Sequence, residues 1–247
     1  MIIGVDGTGD RSNALYALLN KNSHVSQVIN GSRQVHRKYF GGPAVGGMGT
    51  ERIARDVVIW IRAVRSIAPE DKIFLIGHSR GGASLIRAAQ IIQQEYFHTV
   101  LFDGVFLFDA VNFTIPGLRM ITDIDKLPTN IVRCFHAIRD PYASSRSSFG
   151  NCGTIPSVPH QLVSQKFFGR HAALGGTPGT GDLKYSEYGI KYLGVKDTDH
   201  PREYGTPVNT TVKTVWSDID RHCARMTKER MWFHLQKERA MSGPRLV

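Results

Sequence analysis

K-I-F-L-I-G-H-S-R-G-G, residues 72–82, joins two segments of opposite character. Its first half, Ile73-Phe74-Leu75-Ile76, is a short apolar run rich in β-branched and aromatic residues, and it predicts a buried strand. Its second half, Gly77-His78-Ser79-Arg80-Gly81, is a G-x-S-x-G sequence. Residues 83–89, A-S-L-I-R-A-A, then read as helix. Strand, tight turn and helix form the context in which G-x-S-x-G marks a nucleophile elbow. The reason is steric. A serine on such a turn holds a strained backbone, and flanking glycines let strand and helix pass closely without Cβ clashes. Its hydroxyl is presented at a helix start, where a backbone N–H can hold an oxyanion. The plain alternative is a Gly-rich β–α turn in another kind of α/β protein.

Outward from this turn, helical and strand patterns alternate. Residues 51–67 predict a helix with Ile53, Val57, Ile61 and Val64 on one face, closed by Pro69. Residues 2–5 predict a first strand that empties into Asp6-Gly7-Thr8-Gly9-Asp10. Residues 104–108 predict a buried strand ending at Asp109, and 131–138 another ending at Asp140-Pro141. Residues 35–40 and the weakly alternating 24–29 are further strand expectations, and 12–19 a helix capped by Ser12. Residues 209–239 predict a helix, broken near Met226-Thr227, with Val212, Val215, Trp216 and Ile219 facing inward. This alternation implies an α/β fold, a mostly parallel central sheet with helices on both faces. No repeat or linker divides the chain, so residues 1–247 are expected to form a single domain. The polar stretches around 144–160 and 177–207 are expected as loop or cap elements over the site.

Composition narrows the function. Hydrophobic residues make up 41% of the chain, enough for a core, and no apolar run approaches the about 20 residues of a membrane span. Residues 1–6 lack a basic and then apolar leader, so a cytoplasmic protein is expected, with export by a signal-less route left open. Cys134, Cys152 and Cys223 are odd in number and widely spaced, which argues against a disulfide scaffold and against zinc. Neither His160, His200, His222 nor His234 sits in a metal-binding pair, so no metal and no cofactor are expected. The formal net charge is +10, with a pI near 9.7. The basic residues are spread along the chain and no nucleic-acid-binding signature appears, so no nucleic acid is expected. An anionic membrane surface is the acidic partner that such a charge suits.

The chemistry-bearing residues fall in a telling order. Ser79 comes first. Asp109 and Asp140 follow at strand ends, and His171 comes last, between Phe167-Phe168 and Gly175-Gly176. Ser…Asp…His is the chain order of one triad arrangement, in which histidine takes the serine proton and the carboxylate holds its tautomer. Activity would then rise with pH through an ionisation near 6 to 7.5. Either carboxylate can serve. Asp109 follows the more apolar strand and would be better shielded; Asp140 precedes Pro141, which bends the chain away from the strand end. The Gly7–Thr8 loop reads as an oxyanion loop facing Ser79, since no phosphate-loop pattern is completed; a plain turn is the alternative. The Arg80 N–H is the other expected oxyanion donor. His78 is not expected as the base, because it leaves the turn in a different direction. His136, within a strand, is expected to be a hydrogen-bonded core residue.

Several segments together resemble an α/β-hydrolase family of mostly uncharacterised proteins that includes bacterial type VI secretion phospholipase effectors. Val5-Asp6-Gly7-Thr8-Gly9-Asp10 is similar to that family's F-D-G-T-G-N, Gly77-His78-Ser79-Arg80-Gly81-Gly82 to its G-F-S-R-G-A, and Phe108-Asp109-Ala110-Val111 to its W-D-T-V. Residues 134–140 resemble a strand reading R-H-A-L before an acid, and residues 167–176 resemble its W-F-x-G-x-H-x-D-x-G-G-G. Asp10, Ala110 and Ala173 depart from the family's Asn, Thr and Asp. The resemblance implies an α/β-hydrolase fold, a triad of Ser79, Asp109 and His171, and a serine hydrolase acting on lipid or acyl esters. Rival readings are a peptidase or thioesterase on the same triad, and a non-catalytic binding protein of this fold.

Overall fold

The computed structural model describes residues 1–8, 23–43, 49–95, 100–112, 123–140, 150–177 and 210–238, with the backbone alone described over 210–220. Six strands form one all-parallel sheet: β1 (Ile2–Val5), β2 (Arg37–Phe40), β3 (Phe74–His78), β4 (Gly104–Phe108), β5 (Cys134–Arg139) and β6 (Leu162–Phe167). Their spatial order is β2-β1-β3-β4-β5-β6. The described helices are α1 (His24–Gly31), α2 (Thr50–Arg65), α3 (Arg80–Glu95), the single-turn α4 (His171–Leu174) and α5 (Thr210–Lys237).

Alternation along each strand sends neighbouring side chains to opposite faces. Ile3, Leu75, Val105 and Leu107 meet α2 and α3 on one face, through Ile53, Val57, Ile61, Leu85 and Ile92. Ile2, Phe74, Ile76, Phe106 and Phe108 meet α1 and α5 on the other, through Val25, Ile29, Trp232 and Leu235. Burying each such side chain contributes about 1.5–3 kcal/mol, so a sheet covered on both faces is the stable arrangement for these runs. The result is an α/β fold with an all-parallel sheet and helices on both faces. Parallel strands in register bring the C-terminal ends of β1, β3, β4 and β5 side by side, and those ends carry Asp6, Ser79, Asp109 and Asp140.

The fold corrects two sequence expectations. Residues 24–29 form α1 rather than a strand. The Ser23 hydroxyl caps it, accepting from the Ser26 N–H at 3.0 Å, and Val25, Val28 and Ile29 share one buried face at helical spacing. α5 runs unbroken through Met226-Thr227, because the Thr227 hydroxyl donates to the Cys223 carbonyl at 2.7 Å within the helix. β6 falls on residues 162–167, where the sequence pattern predicts no element before Phe167. The expected helix 12–19 and most of the expected cap at 177–207 lie outside the described residues, as do the side chains of Val212, Val215, Trp216 and Ile219.

Candidate active site

The turn after β3 is built by glycines at close approaches. A Cβ on Gly81 would lie 2.2 Å from the Val5 carbonyl oxygen, and one on Gly77 would lie 2.8 Å from the Gly82 backbone. Helix α3 therefore passes directly over the end of β1. Ser79 takes the strained left-handed conformation expected of an elbow, with φ of 55°. Its N–H donates to the Phe108 carbonyl at 3.0 Å, and its carbonyl accepts from Gly82 and Val111, so the strain is held on both sides. Asp109, directly after β4, is also left-handed, with φ of 43°, and its N–H donates to the Ala137 carbonyl at 2.7 Å.

The structure brings Ser79, His171 and Asp109 into one line. The hydroxyl oxygen of Ser79 is 2.8 Å from His171 Nε2, and His171 Nδ1 is 2.6 Å from Asp109 Oδ2. A carboxylate only accepts, so Nδ1 carries the proton and Nε2 presents its lone pair to the serine hydroxyl. His171 was expected on a loop; it is the first residue of α4. Asp140 is half-buried, its backbone N–H donating to the Phe167 carbonyl at 2.9 Å, and the Nδ1 edge of His171 faces Asp109.

The Asp109 carboxylate is completely buried, yet it is well supplied with donors. Its Oδ1 accepts from the Asn151 side-chain amide at 2.7 Å and from the Arg139 N–H at 3.2 Å. The Arg139 Nε stands 3.8 Å from Oδ2. Burial alone would raise this carboxyl. The hydrogen bond and charge of His171, the Arg139 guanidinium and the Asn151 amide outweigh it and hold the group well below the usual carboxylate range. Burial carries the His171 imidazole below its ordinary value. Asp109 opposes that shift, and His78 and Arg139 add to it. The titration expected near 6 to 7.5 is thereby displaced to lower pH.

Residues 6–8 lie against the elbow. A Cβ on Gly7 would be 3.2 Å from the Ser79 Cβ. The Gly7 N–H, however, donates to Asp6 Oδ1 at 3.0 Å, and Thr8 beside it is half-exposed. Arg80, next to Ser79, is the first residue of α3. His136 is a buried core residue whose Nε2 accepts from the Ala110 N–H at 3.1 Å.

Three features escaped the sequence reading. Asn151 lies in the polar stretch expected to cover the site, where a lone amide has no signature. Arg139, beside Asp140, carries no signature that sets it apart from the chain's other arginines. Asp6, treated as part of a turn, is fully buried and accepts from the Ser23 and Tyr39 hydroxyls. Among the described residues, no cluster of three or more His, Cys, Asp or Glu is placed to hold a metal ion.

No family model matches the chain, and no curated protein sequence does. Among solved structures, it is similar to an uncharacterized protein from Pseudomonas aeruginosa at 13% identity and a TM-score of 0.47, over 93% of this chain and 52% of that one. The chain thus spans about half the length of that protein. It is also similar to an α/β serine hydrolase without a lid from Xanthomonas campestris, at 15% identity and a TM-score of 0.39, over 78% of this chain and 83% of that one. A cutinase-like protein from Cryptococcus sp. shows 17% identity and a TM-score of 0.36, over 79% of this chain and 91% of that one.

Proposed function

We propose that this chain is a serine hydrolase of carboxylic esters, acting on lipid or acyl esters through Ser79, His171 and Asp109. The observation that carries this reading is the unbroken line from the Ser79 hydroxyl through both nitrogens of His171 to Asp109, at 2.8 and 2.6 Å. In this mechanism His171 Nε2 takes the proton as the Ser79 oxygen attacks the ester carbonyl carbon. The N–H groups of Arg80 and Thr8 receive the developing oxyanion. On collapse the C–O bond to the leaving alcohol breaks, and His171 returns the proton to that oxygen. Water then repeats the cycle on the acyl-enzyme, releasing the acid and restoring the serine. Asp109 keeps Nδ1 protonated and stabilises the imidazolium.

The lipid side of the reading is supported by the surface. α5 exposes Arg225, Arg230 and Lys237 together with Met226 and Phe233, and the chain carries a net charge of +10. A basic face with apolar side chains suits anionic headgroups. The test is turnover of p-nitrophenyl esters from acetate to palmitate, alongside a thioester and a peptide. Wild type should cleave esters, with a preference among chain lengths, and Ser79→Ala should lower turnover by about 10⁴-fold without loss of folding. Unchanged activity in Ser79→Ala, or cleavage of the peptide alone, would contradict the reading.

A further inference from the structure

His78 stands immediately before Ser79, and the proton path from Ser79 to Asp109 makes no use of it. Its ring is nevertheless almost entirely enclosed, between the loop after β1 and the turn that bears His171. Nε2 lies 3.2 Å from the carbonyl oxygen of His171 itself. A carbonyl only accepts, so Nε2 carries a proton and donates. Nδ1 faces Asp6 Oδ1 at 3.8 Å. The Asp6 carboxylate is fixed in turn by the Gly7 N–H at 3.0 Å and by the hydroxyls of Ser23 at 2.5 Å and Tyr39 at 3.0 Å.

Both flanking segments make room for this ring by having no side chain. A Cβ on Gly175 would sit 2.4 to 2.6 Å from the His78 ring atoms, and one on Gly7 would sit 2.8 Å from Nδ1. Gly175 has φ of −81°, which any residue adopts, so space rather than backbone conformation calls for glycine there. The rings of His78 and His171 lie 5.0 Å apart between centroids.

We infer that His78 is a positioning residue: it ties the loop after β1 to the turn carrying His171, and so holds the His171 imidazole on Ser79 and the Gly7–Thr8 loop against the elbow. The need for such a tie is plain from α4, which is one turn long and too short to hold its own geometry. Its first residue is His171, and the His171 carbonyl is the group that His78 grips. A displacement of about 1 Å in a catalytic group can cost about 10²-fold in rate. The inference rests on the hydrolase reading above.

The experiment compares kcat and KM on the best p-nitrophenyl ester for wild type, His78→Leu and His78→Gln, with melting temperatures alongside. His78→Leu keeps bulk and removes the donor. It should lower kcat by about 10- to 100-fold and change KM by less than about threefold. His78→Gln, which returns an N–H donor at similar reach, should recover most of the lost kcat. If His78→Leu does not fold, Gly175→Ala displaces the same ring and should show the same loss in kcat. Wild-type kcat in the Leu variant, or equal losses in Leu and Gln, would overturn the inference while leaving the hydrolase reading intact. Absence of ester turnover in wild type would overturn both.

Discussion

Asp109 and Asp140 end adjacent parallel stretches of chain, and one substitution at each separates a partner of His171 from a bystander. Asp109 is fully buried, 2.6 Å from His171 Nδ1, and held by Asn151 and Arg139. Asp109→Asn should reduce ester turnover by roughly 10³- to 10⁴-fold, because an amide no longer fixes the productive tautomer. Asp140→Asn should cost at most about threefold on the same logic. Steady-state kinetics with both variants checks this, and a crippled Asp140→Asn beside an active Asp109→Asn would reverse the assignment. Ser79 was legible in sequence because its turn demands glycines at fixed places. The choice of acid was not, because strand ends repeat and only the folded chain shows which carboxylate meets the imidazole edge. Asn151 was invisible for the same reason: its role depends on a contact with a residue 42 positions earlier.

At the scale of elements, legibility followed burial. β1, β3 and β4 lie inside the sheet with helices on both faces, so their sequences are short apolar runs, and β4 falls on residues 104–108 as its pattern predicts. β6 is bonded to β5 at the end of the strand order and leaves Ser164, Gln165 and Lys166 exposed. An edge strand of that composition carries no hydrophobic period to read. α1 spans only eight residues, too short a window for a strong period, and the helical spacing of Val25, Val28 and Ile29 decides it together with the Ser23 cap. The break expected near Met226-Thr227 does not occur, and the Thr227 hydroxyl is satisfied inside the helix.

For the whole molecule, buried imidazoles link the fold to pH. Burial lowers His24 to about 3 and His136 to about 4, and carries His171 below its ordinary value as well. Each is neutral in the folded state at pH 5, whereas the unfolded chain takes up protons there, below the ordinary 6.5. The unfolded state binds more protons in this window, so stability rises with pH across it and is lost as pH falls from about 6.5 toward 4. The slope approaches about 1.4 kcal/mol per pH unit for each such group. Melting temperature should therefore drop clearly between pH 7 and pH 5, and a flat profile would contradict this account of the buried histidines. The central claim concerns Ser79 as the nucleophile, and covalent phosphonylation of its hydroxyl tests that claim most directly. Treatment with a fluorophosphonate, followed by intact-mass measurement and peptide mapping, should give a single adduct on Ser79 that is lost in Ser79→Ala and strongly slowed in His171→Asn. An adduct on another residue, or none on folded wild-type protein, would contradict it.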